Sequence, residues 1–302
     1  MSMTSKPSKI SGPFVAIVTP FDSEERVEFA ALRRQVKRQV SAGNGVFCAG
    51  TNGEFYALSF DEKLAVAETC VAAADGRVPV LAHIGEISTH QTIALGKAVQ
   101  GLGVKAVSAI TPSFIACSQT ELVEHYRRVA DALTVPVYLY NIPARTGNTL
   151  EPQTARILAD HPNIIGIKDS AGSQESLDAF LAIARERDDF DVLVGPDSLV
   201  LHGLRNGAAG CISGLGNIAP VTLNGIHAAF VAGDDTAADA RQTHFSTLRK
   251  ELYALGFPPA MVKRALRSAM PEVGASRLPV CISSEIDSKI AAIAAEYVEL
   301  QA

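Results

Sequence analysis

Eight short apolar runs, each followed by a stretch with helical periodicity, constrain the fold of this chain more than any other feature of its sequence. Most of the runs are continuous rather than alternating, as expected of parallel strands that are buried on both faces. They occupy residues 13–21, 45–50, 78–84, 106–112, 135–143, 164–170, 191–196 and 210–214. The pattern predicts an α/β protein built from repeated strand–helix units.

Serine N-caps support the helical interpretation of the segments between the runs. Ser59 is followed by Glu62 and Ser118 by Glu121, which is the spacing of a capping box, and Ser173 begins a third such segment. Eight strand–helix repeats are typical of a (β/α)8 TIM barrel, and the alternative is a doubly wound open sheet. Because the repeats are evenly spaced, the sequence favours the closed barrel.

Three segments are expected along the chain. Residues 1–12 are polar and lack the apolar core of a signal peptide, so we interpret them as a flexible N-terminal arm. Residues 13–225 form the predicted barrel. Residues 226–302 exceed what one closing helix needs, and no Ser/Gly linker precedes them. We therefore expect a closing helix with a C-terminal helical extension.

Charge and residue usage exclude several classes of function. A net charge of −5 over 302 residues gives no basis for binding nucleic acid or an anionic membrane surface. No apolar run is long enough to span a bilayer. The five cysteines are scattered, which fits free thiols in the cytoplasm. The seven histidines, His83 among them, show no metal-ligand spacing, so we expect no metal site.

The carboxyl ends of the predicted strands are where a barrel carries its chemistry. The sixth run ends on Lys168 and Asp169, and an ammonium group in an apolar barrel is costly to desolvate. A neutral amine there is a nucleophile that can attack a ketone and form an imine. The simpler alternative is that Lys168 pairs with Asp169 or extends to the rim.

Three further residues fit the same chemistry. Tyr140 ends the preceding strand, and its phenol could relay protons at an imine, although a lone tyrosine is more often a core residue. Arg145 follows in a Pro/Gly turn, where a guanidinium suits either a bound carboxylate or a surface salt bridge. Thr51 lies in the turn GTNGE, which either binds a carboxylate through backbone amides or caps the following helix.

Three motifs occur in an order and at intervals that resemble the dihydrodipicolinate synthase/N-acetylneuraminate lyase family: GTNGE, YNIPARTG and GIKDS. The resemblance covers nearly the whole chain. It implies a (β/α)8 barrel that is usually assembled as a homotetramer, a dimer of dimers. It also implies a small-molecule 2-oxo acid substrate, with pyruvate bound as a Schiff base and neither a metal nor an organic cofactor.

The resemblance implies roles for individual residues. Lys168 matches the Schiff-base lysine, and Tyr140 matches the tyrosine that moves protons and holds the pyruvate carbonyl region. Thr51 and Asn52 would hold the pyruvate carboxylate. Arg145 matches the arginine that binds the carboxylate of the second substrate in the synthases. Two residues match backbone and wall positions near the imine, Gly195 and Ile212.

Departures from the synthase pattern bear on the choice of substrate. Asn52 stands where synthases usually carry a second threonine, and Phe114 stands where they place a tyrosine that reaches across a subunit interface. Because Phe114 has no hydroxyl, the usual tyrosine–threonine–tyrosine proton relay cannot be complete. Ile87 and Gln91 replace the Asn and Glu that lysine-regulated synthases tend to have, which argues against lysine feedback. Arg145, by contrast, is synthase-like.

The sequence therefore predicts an enzyme, a class I aldolase that acts on a 2-oxo-3-deoxy or 4-hydroxy-2-oxo acid through an imine on Lys168. The alternative is the dihydrodipicolinate synthase reaction, the condensation of pyruvate with aspartate semialdehyde. A non-catalytic ligand-binding or regulatory barrel is the alternative from another class. The presence of both Lys168 and Tyr140 argues against it.

Overall fold

A computed structural model describes residues 10–281 and 283–300 of the chain. Within these residues, eight strands pair in sequence order into a closed parallel barrel, which confirms the predicted (β/α)8 fold and excludes the open sheet. Each predicted run contributes one strand. The strands are β1 (Gly12–Ala16), β2 (Gly45–Cys48), β3 (Val80–His83), β4 (Ala106–Ile110), β5 (Val137–Asn141), β6 (Ile164–Asp169), β7 (Asp191–Val194) and β8 (Gly210–Ser213).

Twelve α-helices accompany the strands in the described part of the chain. Both predicted capping boxes are formed, at Ser59 with Glu62 and at Ser118 with Glu121, and Ser173 caps α7. The helices are α1 (Phe29–Ser41), α2 (Phe60–Ala74), α3 (Thr89–Val99), α4 (Gln119–Asp131), α5 (Pro143–Thr146), α6 (Pro152–Ala159), α7 (Gln174–Glu186), α8 (Val200–Arg205), α9 (Pro220–Val231), α10 (Asp235–Tyr253), α11 (Pro258–Ala269) and α12 (Asp287–Tyr297).

The described chain forms two compact units. The first consists of residues 10–12 and 81–212, and the second of residues 13–80 and 213–300. The arm predicted over 1–12 falls mainly on residues 1–9, which lie outside the described residues; Ile10 is buried and Gly12 begins β1. The predicted boundary between 225 and 226 remains a prediction.

Two expectations about the chain's chemistry can be compared with the structure. All five cysteines are free thiols, as predicted. No helix within residues 10–281 and 283–300 has both the length and the apolar character that a bilayer crossing requires.

A glycine in the middle of β6 makes room for a tyrosine in the first unit. A Cβ on Gly166 would lie 2.5 Å from Cε1 of Tyr138 and 2.4 Å from the backbone oxygen of Asp191. The Tyr138 hydroxyl donates a 3.0 Å hydrogen bond to Asp191 Oδ2, at the first residue of β7. Burial, reinforced by the Asp191 carboxylate, raises the pKa of Tyr138, so the phenol remains a proton donor in the core.

Candidate active site

The register of two neighbouring strands places Lys168 beside Tyr140 in the first unit. β5 and β6 are parallel, and Tyr140 is the partner of Lys168 across them. Each residue is one position before the carboxyl end of its strand. This end of a parallel barrel is where catalytic side chains are found. The structure thus brings together Lys168 and Tyr140, the two residues on which the predicted chemistry chiefly depends.

The amine of Lys168 contacts the ring of Tyr140. Its Nζ lies 4.1 Å from the ring centroid, and the two residues are only 4% and 1% exposed. The face of the ring attracts an ammonium charge at this distance. The side chain is therefore buried among neighbours and does not extend to the rim, which rules out one of the simpler alternatives for Lys168.

The contacts of Asp169 argue against the second simpler alternative, a pair with Lys168. Successive residues of a strand point to opposite faces, so Asp169 and Lys168 diverge. Asp169 is fully buried, and its Oδ1 accepts a 2.8 Å hydrogen bond from Asn141 Nδ2. Burial raises the pKa of Asp169. Asn141 in turn accepts a hydrogen bond from the backbone of Leu150. Asp169 therefore ties the end of β6 to β5.

His83 contacts Tyr140 as well. Its ring is nearly perpendicular to the phenol, with the ring centroids 5.9 Å apart and an interplanar angle of 86°. His83 is the last residue of β3 and is 2% exposed. Its position in the sequence suggests no role other than that of a metal ligand. Among the described residues, no three His, Cys, Asp or Glu side chains form a cluster that could hold a metal ion.

Gly195 and Ile212 lie in the same unit as Lys168. The backbone N–H of Gly195 donates a 2.8 Å hydrogen bond to the oxygen of Asp169. A Cβ on Gly195 would lie 1.9 Å from Ser170 Oγ and 2.5 Å from that same oxygen, so only glycine fits there. Ile212 is buried on β8. Their predicted places near an imine remain predictions.

Arg145 occupies a different environment from Lys168 and Tyr140. It lies on α5, a single helical turn that begins at Pro143 and is followed by Gly147 in the left-handed conformation. The residue is exposed. An exposed guanidinium suits the binding of a carboxylate, and the predicted role of Arg145 remains a prediction.

Asn148 holds the loop that follows β4, and sequence reasoning did not identify it. Its Nδ2 donates hydrogen bonds of 2.8 and 2.7 Å to the oxygens of Pro112 and Ile115. Its Oδ1 accepts a 2.8 Å hydrogen bond from the backbone of Cys117. Because one side chain satisfies three backbone groups, the loop has a fixed shape. The signal available was an asparagine directly after the turn glycine of YNIPARTG.

Phe114 is presented to solvent by this loop. It is 94% exposed and has a φ of 74°, which a non-glycine residue rarely adopts. The neighbouring Ile115 is 54% exposed. Two adjacent apolar side chains that are held outward in this way form an exposed apolar patch of the kind that marks interaction surfaces.

Thr51 and Asn52 belong to the second unit. Thr51 is 9% exposed, and its backbone oxygen accepts a hydrogen bond from Glu54. A Cβ on Gly214 would lie 2.9 Å from Asn52 Nδ2 and 3.1 Å from the hydroxyl of Tyr253, so the Asn52 amide and the Tyr253 hydroxyl both lie close to Gly214. Asn52 Oδ1 is buried and has no hydrogen-bond partner in the described residues. The predicted carboxylate-binding role of Thr51 and Asn52 is not tested by these contacts.

A buried ion pair in the second unit was also missed from the sequence. Lys263 Nζ lies 2.7 Å from Glu54 Oε1, and the two side chains are 1% and 2% exposed. A signal was present, because Lys263 is three residues from both Ala260 and Leu266 on the buried face of α11. In the sequence, that stretch is recognised only as part of the predicted C-terminal helical extension.

Comparison with known proteins identifies the family. The Dihydrodipicolinate synthetase family matches residues 9–296. The chain belongs to this family. Membership confirms the resemblance found in the three motifs, and it makes the protein a lyase of the class I aldolase type, as predicted. The non-catalytic alternative is thereby set aside.

Family members of known sequence and structure align along nearly the full chain. A 4-hydroxy-tetrahydrodipicolinate synthase of Geobacter metallireducens is 38% identical over 289 residues, which cover 95% of this chain and 98% of that protein. A dihydrodipicolinate synthase of Acinetobacter baumannii, solved in complex with pyruvate, has a TM-score of 0.89 at 32% identity, covering 95% and 98% of the two chains.

A third relative has a similar backbone at lower sequence identity. YagE, a prophage protein of the dihydrodipicolinic acid synthase family from E. coli K12, was solved in complex with pyruvate. It has a TM-score of 0.91 at 27% identity, and the alignment covers 96% of this chain and 99% of that chain. The family's backbone is thus similar in this chain and in proteins of rather different sequence.

Proposed function

We propose that this protein is a pyruvate-dependent carbon–carbon lyase that works through an imine between Lys168 and a 2-oxo acid. The observation that carries the proposal is the contact of the buried Lys168 amine with the Tyr140 ring, 4.1 Å away, at the carboxyl end of the barrel. Two structural relatives that bind pyruvate support it. Arg145, Thr51, Asn52, Gly195 and Ile212 are proposed to bind the substrate as the resemblance implies.

The proposed reaction begins when the neutral amine of Lys168 adds to C2 of the 2-oxo acid and water is lost, which leaves an imine. The protonated imine accepts the electron pair of the C3–C4 bond as that bond breaks, and the C4 hydroxyl loses its proton to become an aldehyde. The resulting enamine takes a proton at C3, and hydrolysis releases pyruvate. We assign these proton transfers to the phenol of Tyr140. Since the imine is itself the electron sink, the proposal calls for no metal or organic cofactor.

The substrate we propose is a 2-oxo-3-deoxy or 4-hydroxy-2-oxo acid. Phe114 is exposed and offers no hydroxyl, so it cannot extend a proton relay as the tyrosine of the synthase pattern does. Asn52 adds an amide whose buried oxygen can accept a hydrogen bond from a substrate hydroxyl. Both features favour cleavage of a hydroxylated acid.

The second candidate is condensation of pyruvate with aspartate semialdehyde. It is favoured by 38% identity to a relative named 4-hydroxy-tetrahydrodipicolinate synthase. Arg145 is also the residue that this reaction would use for the second carboxylate. Lysine feedback is not part of either proposal.

A comparison of turnover divides the two candidates. We expect release of pyruvate from a panel of 2-oxo-3-deoxy acids, measured with lactate dehydrogenase and NADH, to exceed condensation of pyruvate with aspartate semialdehyde in kcat/KM by about 100-fold or more, which corresponds to roughly 2.7 kcal/mol of transition-state discrimination. Faster turnover of the semialdehyde than of every acid in the panel would establish the synthase instead.

Phe114→Tyr tests the relay argument directly. The added hydroxyl is expected to raise any condensation with aspartate semialdehyde by about 10-fold, because a proton relay contributes rate of at least this order. The backbone and the exposure of position 114 need not change. Phe60→Tyr is the matched control, since Phe60 is also an exposed aromatic residue. Equal rates for wild type and Phe114→Tyr would remove Phe114 from the argument about substrate choice.

We also propose a homotetramer in the cytoplasm that binds neither nucleic acid nor a membrane. The exposed pair Phe114 and Ile115 supports contact with a second copy of the chain. The free thiols support a reducing compartment. Analytical ultracentrifugation at several protein concentrations measures the assembly, and a monomer at all of them would contradict this part of the proposal.

A further inference from the structure

The turn that carries Thr51 is held from behind by a buried network in the second unit. The turn comprises residues 50–54. Ala49, directly before the turn, and Glu54, its last residue, have positive φ values of 50° and 57°. Such conformations are sparsely populated by residues other than glycine and persist only where the surroundings enforce them.

Glu54 is fixed by contacts to both of its carboxylate oxygens. Oε1 accepts a 2.7 Å hydrogen bond from Lys263 Nζ, and Oε2 accepts a 3.1 Å hydrogen bond from the backbone N–H of Arg277. The residue is 1% exposed. A carboxylate buried to this degree without such partners would be strongly destabilising. The end of the turn is therefore located by α11 and by the segment that follows it.

The ammonium group of Lys263 is also held by several contacts. Besides Glu54, its Nζ donates a 2.7 Å hydrogen bond to the backbone oxygen of Thr19 and lies 3.9 Å from the ring centroid of Phe21. Burial lowers the pKa of Lys263 to about 8, and the Glu54 carboxylate opposes that shift. The Glu54 carboxylate thus favours the charged form of Lys263.

Thr19 completes the connection to the turn. Its Oγ1 donates a 2.7 Å hydrogen bond to the backbone oxygen of Gly53. A Cβ on Gly53 would lie 3.1 Å from the oxygen of Ile17, so the turn packs closely against the chain after β1. Gly53 is thus held through Thr19, and the next residue of the turn, Glu54, through Lys263.

We propose that the Lys263–Glu54 ion pair, together with Thr19, is a positioning device that holds the turn 50–54 in the geometry with which Thr51 binds the pyruvate carboxylate. The inference rests on the proposed function, because only the binding of pyruvate gives the ion pair a role beyond stabilising the fold. Lys263 and Glu54 are positioning residues, because they act through the turn and not on the substrate.

A purely structural role is the competing explanation, and the double variant Glu54→Gln/Lys263→Met separates the two. Lys263→Met alone leaves Glu54 buried without its cation and is expected to lower the melting temperature by about 10 °C. The double variant leaves no unpaired charge and is expected to regain most of this loss. If the pair only stabilises the fold, the double variant should bind pyruvate normally.

The readout is the pyruvate concentration that half-saturates borohydride trapping of the Lys168 adduct, measured by mass spectrometry on folded protein. We expect the double variant to require at least about 10-fold more pyruvate than wild type. Arg264→Met is the matched control: it removes a cation from the adjacent position of α11, where Arg264 pairs with the partly exposed Asp287, and it should stay within about 2-fold of wild type.

Thr19→Val keeps the test decisive if the double variant does not fold. It removes the hydrogen bond to Gly53 with little change of shape, and a rise of about 3-fold in half-saturating pyruvate is expected. Wild-type half-saturation in the double variant, or in Thr19→Val where only that variant folds, would overturn the inference. Absence of an adduct in wild-type protein would instead overturn the proposed function, so the two failures are distinguishable.

Discussion

Lys168→Met is expected to lower kcat/KM for carbon–carbon cleavage by ~10³-fold or more, because the variant lacks the amine of the proposed imine that accepts electrons from the breaking bond. Methionine keeps the apolar stem in a site where Lys168 is only 4% exposed. Asp169, which is bonded to Asn141, loses no partner. The melting temperature should therefore change little. Steady-state kinetics and thermal denaturation measure the two quantities.

Lys97→Met is the control for this substitution. Lys97 is an exposed lysine on α3, so the same chemical change there should leave both kcat/KM and stability near wild type. Retention of more than about a tenth of the activity in Lys168→Met would exclude covalent catalysis at this residue.

Tyr140→Phe is expected to lower kcat by ~10²–10⁴-fold, the range attributed to a positioned proton donor or acceptor. The phenyl ring keeps the contacts that Tyr140 makes with Lys168 and His83, so only the hydroxyl is lost. We expect the adduct with pyruvate to form more slowly but to remain detectable. Stopped-flow or quenched trapping with borohydride gives the rate of imine formation apart from turnover.

Tyr138→Phe provides a matched comparison two residues earlier on the same strand. Its hydroxyl donates a hydrogen bond to Asp191, which lies at the start of β7 and not at the carboxyl end of the barrel. Losing that hydrogen bond should cost about 1–3 kcal/mol of the free energy of unfolding while kcat changes little. If Tyr138→Phe lowered kcat as much as Tyr140→Phe, the specific role of Tyr140 would be refuted.

The barrel could be predicted from the sequence because its determinants are local. Continuous apolar runs of strand length give the strands, and Ser59 and Ser118 with glutamates three residues on give helix starts that the structure confirms. Lys168 could be singled out for the same reason, since a lysine at the end of an apolar run is conspicuous in the sequence alone.

Contacts between distant segments could not be predicted in this way. The perpendicular contact of His83 with Tyr140 depends on the register of β3, β4 and β5, which the alternation of residues does not determine. Glu54 and Lys263 are 209 residues apart, and no local sequence pattern predicts that they pair. The signal in each case was one polar residue on an apolar face, and its partner became visible only in the folded chain.

The central claim is that the Lys168 amine forms an imine with pyruvate. The most direct test is to incubate the protein with pyruvate, reduce with borohydride, digest, and map the modified peptide by tandem mass spectrometry. We predict a single adduct with the mass of reduced pyruvate, located on Lys168 and lacking when pyruvate or borohydride is omitted. An unmodified Lys168 peptide, or an adduct on a different lysine, would contradict the account.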